Sequence, residues 1–328
     1  MTRLSIKSTL FILLCLVLLT TVLSMGFGVA ELGHDAVWQC ISSGCEKPIY
    51  DTILWQIRFP RVLLGFLAGF GLAIAGALMQ NVTRNPLADP YLFGIIAGAG
   101  LGATLSTFLP ANVQFFSLPL AAFLGALFAV FIVIMVVIRN NWRKTEHLLL
   151  AGVAVSFLFG SLTNFIIYMG DAFSSNRVIF WLMGSLARAD HTALMWIFPV
   201  VLIATVIALL LGRQLDALLL SDDSARTLGV NVGRLRIIVL ILCAALTAVI
   251  VSFCGGIGFV GLMIPHIVRH FVGLTTARLL IATGLFGGCF LVWVDVLART
   301  ALGGQEIPIG VITSAIGSIF FLLIMRKM

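Results

Sequence analysis

The sequence predicts an all-α polytopic membrane protein of about ten transmembrane helices, organised as a single domain over residues 1–328. Three observations predict it. Of the 328 residues, 61% are hydrophobic and only 10% charged, where an ordinary soluble domain carries roughly 25% charged residues. Mean hydropathy is +1.15. The charges gather between apolar runs long enough to cross a hydrocarbon layer, which takes about 20 residues each. In such a chain the net charge of +7 does not point to nucleic acid; the informative question is where the basic residues sit.

The uncharged intervals are 8–30, 62–83, 90–138, 148–170, 192–212, 237–268, 279–294 and 307–325. The first follows Arg3 and Lys7, as the apolar part of a signal peptide would, and is read here as the first span. The second opens on Arg58 and Arg61 around Pro60 and ends on the Pro-bracketed turn from Asn85-Pro86 to Asp89-Pro90. It is a crossing with unlike chemistry at its two mouths. Interval 90–138 is too long for one crossing and breaks near Pro110-Ala111-Asn112, giving two helices. Interval 237–268 carries Gly255-Gly256-Ile257-Gly258 before Pro265, giving a full span and then a short or partial helix. Gly65 and Gly69, and Gly94, Gly98 and Gly102, recur at four-residue spacing, which predicts close helix packing.

Ten crossings put both termini on one side. With the N-terminus in the cytoplasm, 14 of the 20 arginines and lysines fall in cytoplasmic segments, the bias of positive-inside insertion. The one long cytoplasmic loop, 214–236, holds a leucine stripe at Leu215, Leu218 and Leu219, then Ser221 to Ser224 as N-cap material and Gly229 as a terminator. Two short amphipathic helices result. Asp216, Asp222 and Asp223 would repel anionic headgroups, so a protein partner suits them better than lipid. A further short outer helix is expected over 174–185.

Cys15, Cys243, Cys254 and Cys289 read as small buried hydrophobes, while Cys40 and Cys45 share a polar loop where either free thiols or a disulfide would fit. His266 and His270 are four apart with no carboxylate between them, which rules out a zinc site of the HExxH kind. Asp295 and Arg299 are spaced for an intrahelical ion pair, or for Asp295 to position Arg299 beside Arg58 and Arg61. No phosphate-cradling GxxxxGK[ST] motif occurs, and no span carries a central carboxylate for ion coupling. An ion-coupled secondary transporter would need such a group, and an intramembrane enzyme would need a nucleophile with its base.

The motifs QIRFPR (56–61), NPLADP (85–90), LLLAGVA (148–154), WLMGSL (181–186), SARTLGV (224–230), GFVGLMIPHIVR (258–269) and IPIGVITSAIG (307–317) occur in one order along nearly the whole chain. In this the sequence resembles the FecCD-type permeases of bacterial ABC importers for ferric siderophores, haem and vitamin B12. The resemblance implies a type II ABC importer permease fold in the bacterial inner membrane. It implies as partners a second permease subunit, identical or homologous, two ATPase subunits and a periplasmic substrate-binding protein. ATP and Mg would be bound by the ATPase, with no cofactor on this chain.

Arg58, Arg61 and Arg299 match the family's binding-protein docking arginines, which implies a rim-exposed role in orientation and on-rate. Asn85, Leu87 and Thr145 match the cytoplasmic gate, with Glu146 where a small hydroxyl residue is usual. Ser224, Ala225, Arg226, Leu228 and Gly229 match the ATPase coupling contacts. An iron chelate is the first substrate expectation and vitamin B12 the second.

Overall fold

A computed structural model describes residues 6–28, 32–109, 111–139, 145–273 and 275–326, with side chains described for all of these except 6–11, 111–117, 137–139, 145, 146 and 325. The chain runs through α1 (Ile6–Gly26), α2 (His34–Ser42) and α3 (Pro48–Asp51), then a π-helical turn (Thr52–Arg58) into α4 (Phe59–Thr83). A 3-10 turn (Pro90–Phe93) leads to α5 (Ile95–Ser106), α6 (Ala111–Arg139), α7 (Thr145–Met169), α8 (Ala172–Leu182) and α9 (His191–Leu210). The remainder is α10 (Gly212–Leu220), α11 (Asp222–Thr227), α12 (Val232–Cys254), α13 (Val260–Val272), α14 (Thr276–Thr300) and α15 (Ile309–Met325).

Among the described residues six helices are long and apolar enough to cross a membrane, and four shorter apolar helices join them at Ile12–Gly26, Ile95–Ser106, Val260–Val272 and Ile309–Ile324. Together they make the ten runs expected from the charge punctuation. The break before Ala111 and the two short helices α10 and α11 also fall where the sequence puts them. One difference lies in α5. Its 12 residues reach only about 18 Å at 1.5 Å per residue, because the 3-10 turn takes up the first part of that interval.

α4 is the central post: 83% of its most apolar window is buried, against 28% for α6 and α7. Its small residues explain how. A Cβ on Gly76 would run into the carbonyl of Gly261 on α13, and one on Gly69 into that of Gly287 on α14. Helix backbones touch there, which suits a solvent where apolar burial alone does not drive association.

Two motif segments, 181–186 and 307–317, meet at the end of α12. Ser185 N donates to Cys254 O (2.9 Å), Ile309 N to Gly184 O (3.0 Å) and Gly310 N to Met183 O (3.0 Å). The backbone groups freed between α8, α12 and α15 thereby satisfy one another, as buried irregular chain in a membrane protein requires.

Candidate docking and coupling sites at the two ends of α4

At the start of α4, Arg61 lies between two carboxylates. Its Nη2 is 2.9 Å from Asp295 Oδ1, while Nη1 donates to Glu306 Oε1 at 2.6 Å. Asp295 also faces Arg299 on the next turn of α14, with Nε 3.4 Å from Oδ2. The intrahelical pair expected from the four-residue spacing is therefore present. Arg299 Nη2 donates to Ser24 O (3.0 Å) and Arg58 Nη1 to Met25 O. These are last-turn carbonyls of α1, where i→i−4 partners run out; Ser24 O also accepts from Phe27 N (3.3 Å). Three guanidiniums thus meet two carboxylates and the end of a helix.

The exposed positive rim expected of Arg58, Arg61 and Arg299 is corrected by this placement. Their exposures are only 4%, 9% and 5%. A buried guanidinium is costly unless it is paired and hydrogen-bonded, and the partners come from elements remote in sequence. Glu306, on the loop after α14, is the partly solvated member. Its hydrogen bond from Arg61 holds the carboxyl below the ordinary range. Nearby, a disulfide joins Cys40 on α2 to Cys45 in the loop before α3.

At the far end of α4, the helix stops on Arg84 in the left-handed region (φ 52°). Asn85 then builds a tight turn: its Oδ1 accepts from Leu87 N (2.9 Å) and its carbonyl from Ala88 N (3.1 Å). Leu87 is left 55% exposed at the tip. Asp89, by contrast, is buried and caps the 3-10 turn by accepting from Tyr91 N (2.8 Å). Burial pushes its carboxyl up to about 6. Thr145 and Glu146 open α7, and their side chains lie outside the described residues.

The loop expected to couple to an ATPase packs against this same end. Ser221 Oγ accepts from Ser224 N (2.9 Å), capping α11. Gly229, with φ +82°, closes it: Val230 N reaches Ala225 O and Gly229 N reaches Arg226 O, the paired bonds of a Schellman ending. Of the five expected contacts, Arg226, Leu228 and Gly229 are exposed and Ser224 is half-buried. Ala225 is fully buried and faces its own protein, so it is not available as a surface contact.

Pairings remote in sequence hold the loop in place. Asp222 Oδ1 takes Arg84 Nη2 from α4 and, at 3.1 Å, Arg236 Nη2 from α12. Asp216 on α10 accepts from Thr276 N (2.8 Å) at the start of α14. Thr276 Oγ1 in turn accepts from Asn81 (3.1 Å), whose Oδ1 accepts from Arg269 (3.0 Å). His266 and His270 stand 5.3 Å apart between ring centroids. Among the described residues no group of three His, Cys, Asp or Glu could hold a metal ion.

The architecture has known counterparts. Residues 15–327 match the FecCD transport family. The chain belongs to that family. A cobalamin import system permease from Halobacterium salinarum is 40% identical over 276 residues, 84% of this chain and 74% of the relative. A hemin transport system permease from Yersinia pestis is 36% identical over 320 residues, 95% and 94% of the two chains. Relatives named for molybdate and Fe(3+)-citrate import match as well. A solved inward-facing conformation of a metal-chelate type ABC transporter superposes with a TM-score of 0.87 at 32% identity, covering 98% of this chain and all of the other. This FecCD-family chain is an ABC importer permease, a multi-pass membrane protein.

Proposed function

We propose that this permease carries an iron chelate, a ferric siderophore or haem, into the cytoplasm, driven by ATP hydrolysis on partner ATPase subunits that bind the nucleotide and Mg. The observation that carries the importer mechanism is the junction of the exposed coupling segment with the turn at the end of α4. Arg226 and Leu228 face outward from α11, Leu228 at 66% exposure, while Asp222 on the same short helix holds Arg84. An ATPase seated on that surface therefore has a direct mechanical route to Asn85 and Leu87, which with Thr145 and Glu146 are the gate in this reading. Both termini are cytoplasmic on the positive-inside count, and the single permease domain pairs with a second permease around the pathway.

A periplasmic binding protein would deliver the substrate at the opposite end. Burial leaves Arg58, Arg61 and Arg299 less suited to touch it than the sequence implies. In this reading they shape the docking end from beneath, and the partly exposed Glu306 sits at its surface.

The iron-chelate choice draws support from the hemin and Fe(3+)-citrate relatives and from the metal-chelate type neighbour. Cobalamin is the second reading, favoured by the 40% identical relative. The test is uptake into proteoliposomes holding the permease, its ATPase and its binding protein. ATP-dependent entry of labelled haemin or a ferric siderophore, unaffected by excess cobalamin, is expected. Entry of cobalamin alone would replace the substrate reading, and uptake that follows the proton gradient without ATP would overturn the importer mechanism.

A further inference from the structure

We propose that the Arg84–Asp222 ion pair is the contact through which movement of α11 reaches the 84–88 turn, a proposal that rests on the coupling reading above. The backbone at Arg84 is the first indication. Helices that end in the left-handed conformation usually place glycine there, because a Cβ is disfavoured. Here an arginine occupies the position at φ 52°. Its side chain supplies something glycine could not, and what it reaches is Asp222.

Asp222 is where three elements meet. One carboxylate oxygen, Oδ1, receives Arg84 from α4 and Arg236 from α12, while the residue itself opens α11. Among the described residues, every ion pair leaving α11 runs through it; Arg226 pairs only within the helix, with Asp223 at 3.4 Å. The preceding helix is held differently. Asp216 fixes α10 to the start of α14, in a chain continued by Asn81 and Arg269. Between the two helices stands Ser221, fully extended at φ −169° and ψ 165°. α10 is thus the side anchored by a hydrogen-bond chain, while α11, packed through Ala225, makes its ion pairs to the rest through one carboxylate.

Arg84 is bonded directly to Asn85, whose two hydrogen bonds lock 85–88 into one turn. A displacement of Asp222 therefore carries Leu87 with it. The pair is also suited to shift during a cycle. Arg84 and Asp222 side chains are 36% and 22% exposed, so water can take up what they lose on moving, as it cannot for the Asp295 cluster, whose carboxylate is 2% exposed.

The test uses the full permease assembled with its ATPase and binding protein, with haemin and cobalamin both tried as cargo. In a Cys15→Ser chain, Leu87→Cys is labelled with a polar maleimide, with and without ATP trapped by vanadate. Arg84→Gly suits the left-handed backbone, so the fold is kept while the whole side chain, guanidinium included, is removed; Arg84→Lys retains the charge. In the parent complex trapping changes the labelling rate. In Arg84→Gly that change is expected to vanish, and uptake per ATP hydrolysed to fall by on the order of tenfold, within the usual range of a coupling interaction. Hydrolysis and ATPase co-purification should hold, and Arg84→Lys should restore part of the response.

The proposal is overturned if Arg84→Gly keeps the parent's labelling change and uptake per ATP. It is equally overturned if hydrolysis and uptake fall together with loss of the ATPase, which would make the pair a structural bolt. Absence of ATP-dependent uptake of either cargo by the unmodified complex would instead tell against the proposed function, before any variant is made.

Discussion

Replacing Arg61 by alanine separates a structural role for the buried cluster from a docking role. The guanidinium lies between Asp295, 1% exposed, and Glu306, whose side chain is 37% exposed. Its removal leaves Asp295 facing only Arg299 at 3.4 Å, and breaking a buried pair in this way costs about 3–5 kcal/mol. The Glu306 arm is half-solvated, so Glu306→Gln should cost about 1 kcal/mol or less. Reversible unfolding in mixed micelles compares the two variants, and binding-protein association is measured alongside. Arg61→Ala should lose several times more stability than Glu306→Gln, with any loss of docking following from the destabilised end. If Arg61→Ala unfolds like the parent yet no longer binds the binding protein, the arginine acts at an exposed interface and the structural assignment is wrong.

Three further substitutions test local packing and electrostatics. Gly76→Ala places a methyl against the Gly261 carbonyl and should destabilise by about 1–3 kcal/mol or more. Gly160→Ala in α7, with nothing within 4 Å of the new carbon, should be neutral or gain up to about 1 kcal/mol; equal thermal midpoints for the two would refute the backbone-contact packing. Asp89 has a folded pKa of about 6 against an ordinary 3.8, so the stability its protonated form contributes is full below 3.8 and is lost as pH rises through about 6. Asn at this position stays neutral and can still accept from Tyr91 N. Asp89→Asn should therefore remove that dependence and stabilise the protein at neutral pH by on the order of 3 kcal/mol. A parent stability profile that is flat between these two values would show that the carboxyl is not raised.

The ten apolar runs were legible because insertion in a bilayer depends on length and charge, which are local properties of the chain. The glycine spacing was legible for a related reason: four-residue intervals put small residues on one helix face, and that face meets a backbone at Gly69. Partnership was not legible. Arg61 and Glu306 are 245 residues apart, and Arg84 and Asp222 are 138 apart. Nothing in the motif QIRFPR announces that α1 ends against its first arginine, so the three cations read as a free rim. Asp222 stood in the N-cap stretch as a charge unsuited to lipid, but one oxygen also serves two arginines. Ala225 matched a family contact by position, while the short turn of α11 points it inward.

These long-range partners make the two ends of α4 mechanically unlike. Arg61 and Arg84 stand on the same buried post, separated by about 35 Å at 1.5 Å per residue. At the Arg61 end the carboxylate is sealed and α1 is clamped by two further arginines, so a slide would strand charge without solvent. At the Arg84 end the pair is partly wet and its partner helix α11 is short. A rigid post with one fixed foot and one yielding foot pivots about the fixed one. Arg61→Ala should consequently change stability while the surviving complexes keep their response to trapped ATP, and Arg84→Gly should do the reverse. If both variants moved both quantities together, α4 would not be acting as a post with distinct ends.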